Sequence, residues 1–138
     1  MEAYQQILVS TDFSEFSGEV AKKAIHLAGH FNAAITLLHV AERLPENSDS
    51  DESVIAQNRH QLDEFARSIP NFKMIPIVSL SETNVEDEIS SVAIQIKANL
   101  IILGAQGDNG VSVLPSLNAK SFKEKAPCDV LVVHAETV

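Results

Sequence analysis

Ile7-Leu8-Val9-Ser10-Thr11-Asp12 is a short apolar run that stops on three polar residues, and Ile35-Thr36-Leu37-Leu38-His39-Val40 is a second, rich in branched side chains. Runs of this length closed by polar chain read as buried strands. Between them Val20, Ala24, Leu27 and Phe31 recur at helical spacing, with Ala21 and Ala28 on the same side and Glu19, Lys22 and Lys23 elsewhere. That is the pattern of an amphipathic helix. The alternation then repeats outward. Val54 to Ile69 is helical in composition, Met74 to Leu80 reads as a strand, and Val85 to Ile96 reads as a helix with Ile89, Val92 and Ile96 on one face. Leu100-Ile101-Ile102-Leu103 is the fourth strand and Asn118 to Lys125 the last helix. Val130-Leu131-Val132-Val133 is the fifth strand, preceded by Pro127 as a break. Strands that are continuously apolar, joined by connections long enough for crossover helices, predict a single open parallel α/β sheet covered on both faces.

Two local signals refine this reading. Asn84 can cap the third helix, whose first turn carries Glu86, Asp87 and Glu88 where carboxylates suit the positive end of the helix dipole. Pro76 cannot donate to a ladder and belongs at a sheet edge or at a strand start. Glu42 to Glu52 gathers five acidic residues and one arginine among Pro45, Asn47, Ser48 and Ser50, which reads as a solvated surface loop.

With 138 residues, 45 % of them hydrophobic and 21 % charged, the chain can bury a core without disulfides or metal staples. The expectation is one domain over residues 1–138. The formal charge of −9 argues against binding a phosphate backbone, which depends on clustered lysine and arginine. The single cysteine, Cys128, excludes an internal disulfide framework and fits a reducing compartment. Met1 to Gln6 lacks the basic start and apolar run of a signal peptide, so a cytoplasmic location is expected. No apolar stretch approaches the roughly 20 residues that span a bilayer, which argues against membrane placement.

In open parallel sheets ligands sit beyond the carboxyl ends of the strands, where the strand order reverses. That rule selects Ser10-Thr11-Asp12-Phe13-Ser14, Val40-Ala41 and Gly104-Ala105-Gln106-Gly107-Asp108-Asn109-Gly110. The glycines could bare backbone N–H groups toward phosphate or form a tight turn, and spacing alone leaves both readings open. Asp12 could meet ribose or base, or cap the first helix. Neither GxxxxGK[ST] nor GxGxxG is present, which excludes the common NTPase and dinucleotide loops. His26 and His30 with Glu19 could form a metal constellation, but Lys22 and Lys23 oppose a cation, and two exposed histidines explain the spacing. Cys128 reads as a packing residue, and His39 and His134 suggest no pair.

Taken together, Ile7 to Glu15, Leu37-Leu38-His39-Val40, Leu100 to Gly107 and Ala126 to Val133 resemble the universal stress protein family, in the right order over nearly the whole chain. The resemblance implies a Rossmann-like sheet of order 3-2-1-4-5, with the strand of Pro76 at its edge. It also implies a homodimer through the last strand, which agrees with Val130, Leu131, Val132 and Val133 being too apolar to leave an edge open. One subgroup of the family binds adenine nucleotides through a G-x2-G-x9-G-[ST] pattern. On that likeness Thr11, Asp12, Val40, Leu103, Gly104, Gly107 and Asn118 form the candidate nucleotide site. Asp12 would meet ribose or adenine, Val40 would offer backbone groups to the base, and Gly104 and Gly107 would begin the phosphate loop.

The second half of the pattern departs, since Leu117 and Asn118 stand where the family motif has glycine and a hydroxyl residue. A leucine there brings a side chain to a place where phosphate oxygens need bare N–H groups. From Ala98 to Ala119 the only charged residue is Asp108, so a triphosphate would need a magnesium ion or Lys120. The expected function is a small regulatory stress-response protein that binds ATP, ADP or AMP weakly. The alternative is an interaction protein of the same fold that has lost the nucleotide. An enzyme is disfavoured, because phosphoryl transfer needs a positioned base and cations that these loops do not offer in an obvious arrangement.

Overall fold

A computed structural model describes residues 4–11, 17–42, 51–69, 73–81, 84–106, 111–112 and 119–134. Five long strands are present: β1 (Gln6–Ser10), β2 (Ala34–Glu42), β3 (Met74–Ser81), β4 (Leu100–Gln106) and, as the sixth strand in chain order, β6 (Asp129–His134). They pair in parallel in the order β3-β2-β1-β4-β6, the expected 3-2-1-4-5 arrangement of five long strands. A two-residue strand, β5 (Val111–Ser112), adds antiparallel to the end of β4. Four helices complete the described chain: α1 (Ser17–Phe31), α2 (Asp51–Arg67), α3 (Val85–Gln95) and α4 (Ala119–Lys125).

The strands alternate between two apolar clusters, one on each face. Ile7, Val9, Ile35, Leu37, Leu100 and Ile102 meet Val20, Ala24 and Ala28 of α1 and Leu62 of α2. Leu8, Leu38, Val40, Ile101 and Leu103 meet Val85, Ile89 and Val92 of α3 and Phe122 of α4. Each helix thus buries its stripe against a sheet that is apolar on both sides, as parallel sheets require.

Local chemistry sets the helix ends. The Asn84 side chain accepts from the Asp87 N–H at 2.8 Å, the cap read from sequence. α1 and α3 both end with a residue in the left-handed region, Asn32 at φ 55° and Lys97 at φ 58°. In each case the next N–H returns to a carbonyl five residues back, Ala33 to Ala28 and Ala98 to Ala93, both at 2.9 Å. These are Schellman closures that satisfy otherwise orphaned carbonyls. Asn99 then ties β4 to β1, its Oδ1 accepting from the N–H groups of Gln5 and Gln6 at 3.0 Å each.

Pro76 lies opposite Leu37 on β3, which pairs only with β2 among the described residues, so the proline sits on an edge as expected. Of the acidic stretch read as a surface loop, residues 43–50 lie outside the described residues, and both of its ends are in regular structure. Glu42 still pairs with Ser81 in β2, and Asp51 and Glu52 already belong to α2. Carboxylates in a first helical turn are favourable, and the ladder runs on as long as β3 offers a partner.

Candidate functional site

The register brings the carboxyl ends of three central strands together. β1 pairs with β2 through Ser10–Leu38 and with β4 through Val9–Ile102, so Leu103 and Gly104 come level with Ser10 and Thr11. Thr11 is fixed from the β2 side. Its N–H donates to the Leu38 carbonyl at 2.9 Å, and its own carbonyl oxygen lies 2.8 Å from Nδ1 of His39. A carbonyl can only accept, so His39 carries a proton on Nδ1. Val40 follows on β2, and Thr11, Val40, Leu103 and Gly104 are all buried at this end of the sheet. β1 and β4 lie side by side here, the chain adding β2 and β3 toward one edge and β6 toward the other, and that reversal of strand order is the switch point where such folds hold ligands. Asp12, Gly107, Leu117 and Asn118 lie outside the described residues.

Gly104 is part of the ladder, opposite Val133, and the sequence expectation of a loop from Gly104 onward begins later than anticipated. β4 continues to Gln106, and Ala105 pairs with His134 on one side and Ser112 on the other. Since β6 holds the outer edge of β4, β5 takes the inner edge, directly beyond the end of β1. Residues 107–110 of the glycine-rich segment lie outside the described residues. The two-residue β5 carries no periodicity that a sequence could display.

Elsewhere, His26 and His30 stack edge to face, centroids 4.9 Å apart, on the exposed side of α1. Among the described residues no three His, Cys, Asp or Glu side chains gather in a way that could hold a metal ion. Cys128 is half-buried against the α3 and α4 cluster; burial first, and then the nearby Asp129 carboxylate, push its thiol pKa up and away from nucleophilic use. It borders a cavity of about 470 Å³ with Tyr4, Leu27, Phe31, Lys123 and Leu131. That cavity lies at the amino ends of the strands, opposite the switch point. There the Tyr4 hydroxyl donates to Asp129 at 2.9 Å, which raises the phenol pKa, with burial and the carboxylate charge adding to the effect. No helix among the described residues is long and apolar enough to cross a membrane.

Two residues at this end of the sheet are placed in ways that spacing alone does not show. His39 looked isolated because its partner is a backbone atom 28 residues away. Ser10 looked like a strand terminator, yet it is buried on the α3 and α4 face; a polar residue at an inward position of an apolar strand was the available signal.

Comparison with known proteins agrees with this architecture. The universal stress protein family model matches residues 3–134. Universal stress protein A homolog 1 of Coxiella burnetii is 25 % identical over 142 residues, covering 94 % of this chain and 96 % of that protein. A universal stress protein family structure from Burkholderia pseudomallei superposes with a TM-score of 0.74 at 20 % identity, covering 98 % of this chain and 99 % of its own. A universal stress protein in complex with cAMP gives 0.71 at 19 % identity, covering 97 % and 99 %. The Archaeoglobus fulgidus protein in complex with dAMP gives 0.70 at 18 % identity, covering 95 % and 98 %.

Proposed function

Because the chain belongs to the universal stress protein family, we propose that it is a small regulatory binding module that takes an adenine nucleotide at the carboxyl ends of β1, β2 and β4. The observation that carries this reading is the convergence of Thr11, Val40, Leu103 and Gly104 at the switch point. Similar folds in complex with cAMP and dAMP support the choice of adenine and of a monophosphate. Asp12, directly after Thr11, would meet the ribose or base. Gly104 and Gly107 would face the first phosphate, and Asn118 the more distant ones.

The phosphate end is the weaker half. The described ladder carries β4 past Gly104 to Gln106, where it pairs with β5. Leu117 stands where the family motif has glycine, and a triphosphate would need magnesium or Lys120 to offset its charge. Base and ribose therefore supply most of the affinity, and binding is weak for the family. The role is regulatory rather than enzymatic, with at most slow ATP hydrolysis. The protein acts in the cytoplasm and pairs as a homodimer through the outer edge of β6, without nucleic acid.

The test is mass spectrometry of small molecules released on denaturing the purified protein, followed by calorimetry with AMP, ADP and ATP, with and without magnesium. Similar affinity for all three, little changed by magnesium, is expected. Tight ATP binding with much weaker AMP would overturn the assignment of the weak half. Leu117 and Asn118 also favour a second reading, an interaction protein that binds no nucleotide, and failure of all three ligands would select it.

A further inference from the structure

Ser10 is 6 % exposed, and its Oγ has no hydrogen-bond partner among the described residues. Buried side-chain oxygens almost always find a partner, because an unsatisfied one has lost its water and gained nothing in exchange. The surrounding backbone does not explain the gap. Thr11, the next residue, has both its N–H and its carbonyl engaged with β2. By strand alternation Ser10 shares the face of Leu8, where its neighbours are Leu38, Val40 and Leu103. The hydroxyl thus stands at the carboxyl end of β1, at the switch point, with aliphatic side chains as its cross-strand neighbours.

We propose that the Ser10 hydroxyl hydrogen-bonds directly to the base of the bound nucleotide and helps to select adenine, an inference that rests on the nucleotide reading above. The surroundings favour the base over the rest of the ligand. A flat heterocycle can lie against Val40 and Leu103 at little desolvation cost, whereas a phosphate brought to this face would lose its water among aliphatic groups. A purine offers unprotonated ring nitrogens at its edge, and one of them would accept from Oγ. The ligand class is a purine nucleotide with an acceptor nitrogen at the edge facing β1. In the unliganded protein the hydroxyl remains a local defect, tolerated because the ligand repairs it.

This assignment makes two effects of one substitution move in opposite directions. Ser10→Ala removes an unsatisfied buried group, so the unliganded variant should unfold at the same temperature as the unaltered protein or higher. The same change should weaken AMP binding about three- to tenfold in calorimetry, the value of one neutral hydrogen bond. AMP analogues in which one ring nitrogen is replaced by carbon supply the cross-check. One of the 1-, 3- and 7-deaza forms should bind the unaltered protein as weakly as S10A binds AMP, and S10A should not distinguish that form from AMP. If the unaltered protein binds AMP and S10A binds it equally well, the Ser10 contact is refuted while the nucleotide site stands. If the unaltered protein binds no adenine nucleotide, the site and the contact fall together.

Discussion

His39 of β2 and Thr11 at the end of β1 are joined by a 2.8 Å hydrogen bond from an imidazole Nδ1 to a backbone carbonyl. The bond pins the first residue after β1 to its neighbour strand. Replacing His39 with Leu keeps the half-buried bulk and removes the donor. The expected cost is about 1 kcal/mol of stability in urea denaturation, together with a severalfold loss of AMP affinity. A variant that lost stability but bound AMP unchanged would show that His39 supports the fold alone.

Lys97 closes α3 at φ 58°, a conformation in which its Cβ is crowded. Asn32 holds the same place after α1, but asparagine tolerates it better because its short polar side chain can bond locally. Replacing Lys97 with Gly removes the crowding, partly offset by the greater freedom of glycine in the unfolded chain. A net gain of about 0.5–1 kcal/mol is expected in urea denaturation. Asn32→Gly should gain less. Equal or negative effects at both positions would mean that the closures are unstrained.

Tyr4 is the chain's single tyrosine, so its phenolate absorbance reports on the Tyr4–Asp129 bond without interference. Its pKa lies above the ordinary 10.0 because the hydrogen bond to Asp129, then burial and the carboxylate charge, favour the protonated phenol. A pKa raised in the folded state means that the stabilisation is fully present below the unfolded value and fades as pH rises through the folded one. The stability difference between the unaltered protein and Tyr4→Phe should stay constant from neutral pH to about 10 and shrink above it. A gap that widened with pH would contradict the bond.

The outer edge of β6 has no partner among the described residues, and Leu131 on it is 36 % exposed. An apolar parallel edge of this kind invites pairing with a second copy. Sedimentation at micromolar concentration should find a dimer for the unaltered protein and mostly monomer for Leu131→Lys, because two lysines would face each other across the joint. A monomeric unaltered protein would remove the dimer from the proposal.

The fold was legible because both faces of the sheet are apolar. Leu100 to Leu103 could be read without knowing which side each residue faces, and Pro76 marked an edge by what it cannot donate. The strand ends were less visible, because β2 and β4 run on only where a neighbouring strand supplies partners for Ala41, Glu42, Ala105 and Gln106. The grouping at the carboxyl end of the sheet was legible where it depends on strand ends, as with Thr11, Val40, Leu103 and Gly104. It was hidden where a side chain acts on distant backbone, as with His39, or where an ordinary serine turns inward, as Ser10 does. The dipeptide Val111-Ser112 has too few residues to display a period of any kind.

Leu117 and Asn118 offer the sharpest test of why the phosphate end should be weak. Replacing them together with Gly and Ser restores bare backbone N–H groups and a hydroxyl donor where the outer phosphates would lie, and each hydrogen bond to a charged group is worth about 1.5–3 kcal/mol. ATP should therefore gain about tenfold or more in calorimetry while AMP changes little. Replacing Asp12 with Ala should act on the other half of the ligand and weaken AMP, ADP and ATP alike. A double variant that improved all three nucleotides equally would place Leu117 against the base or ribose instead. If neither the unaltered protein nor the double variant bound any nucleotide, the loss would reach beyond the phosphate loop, and the chain would act through protein contacts alone.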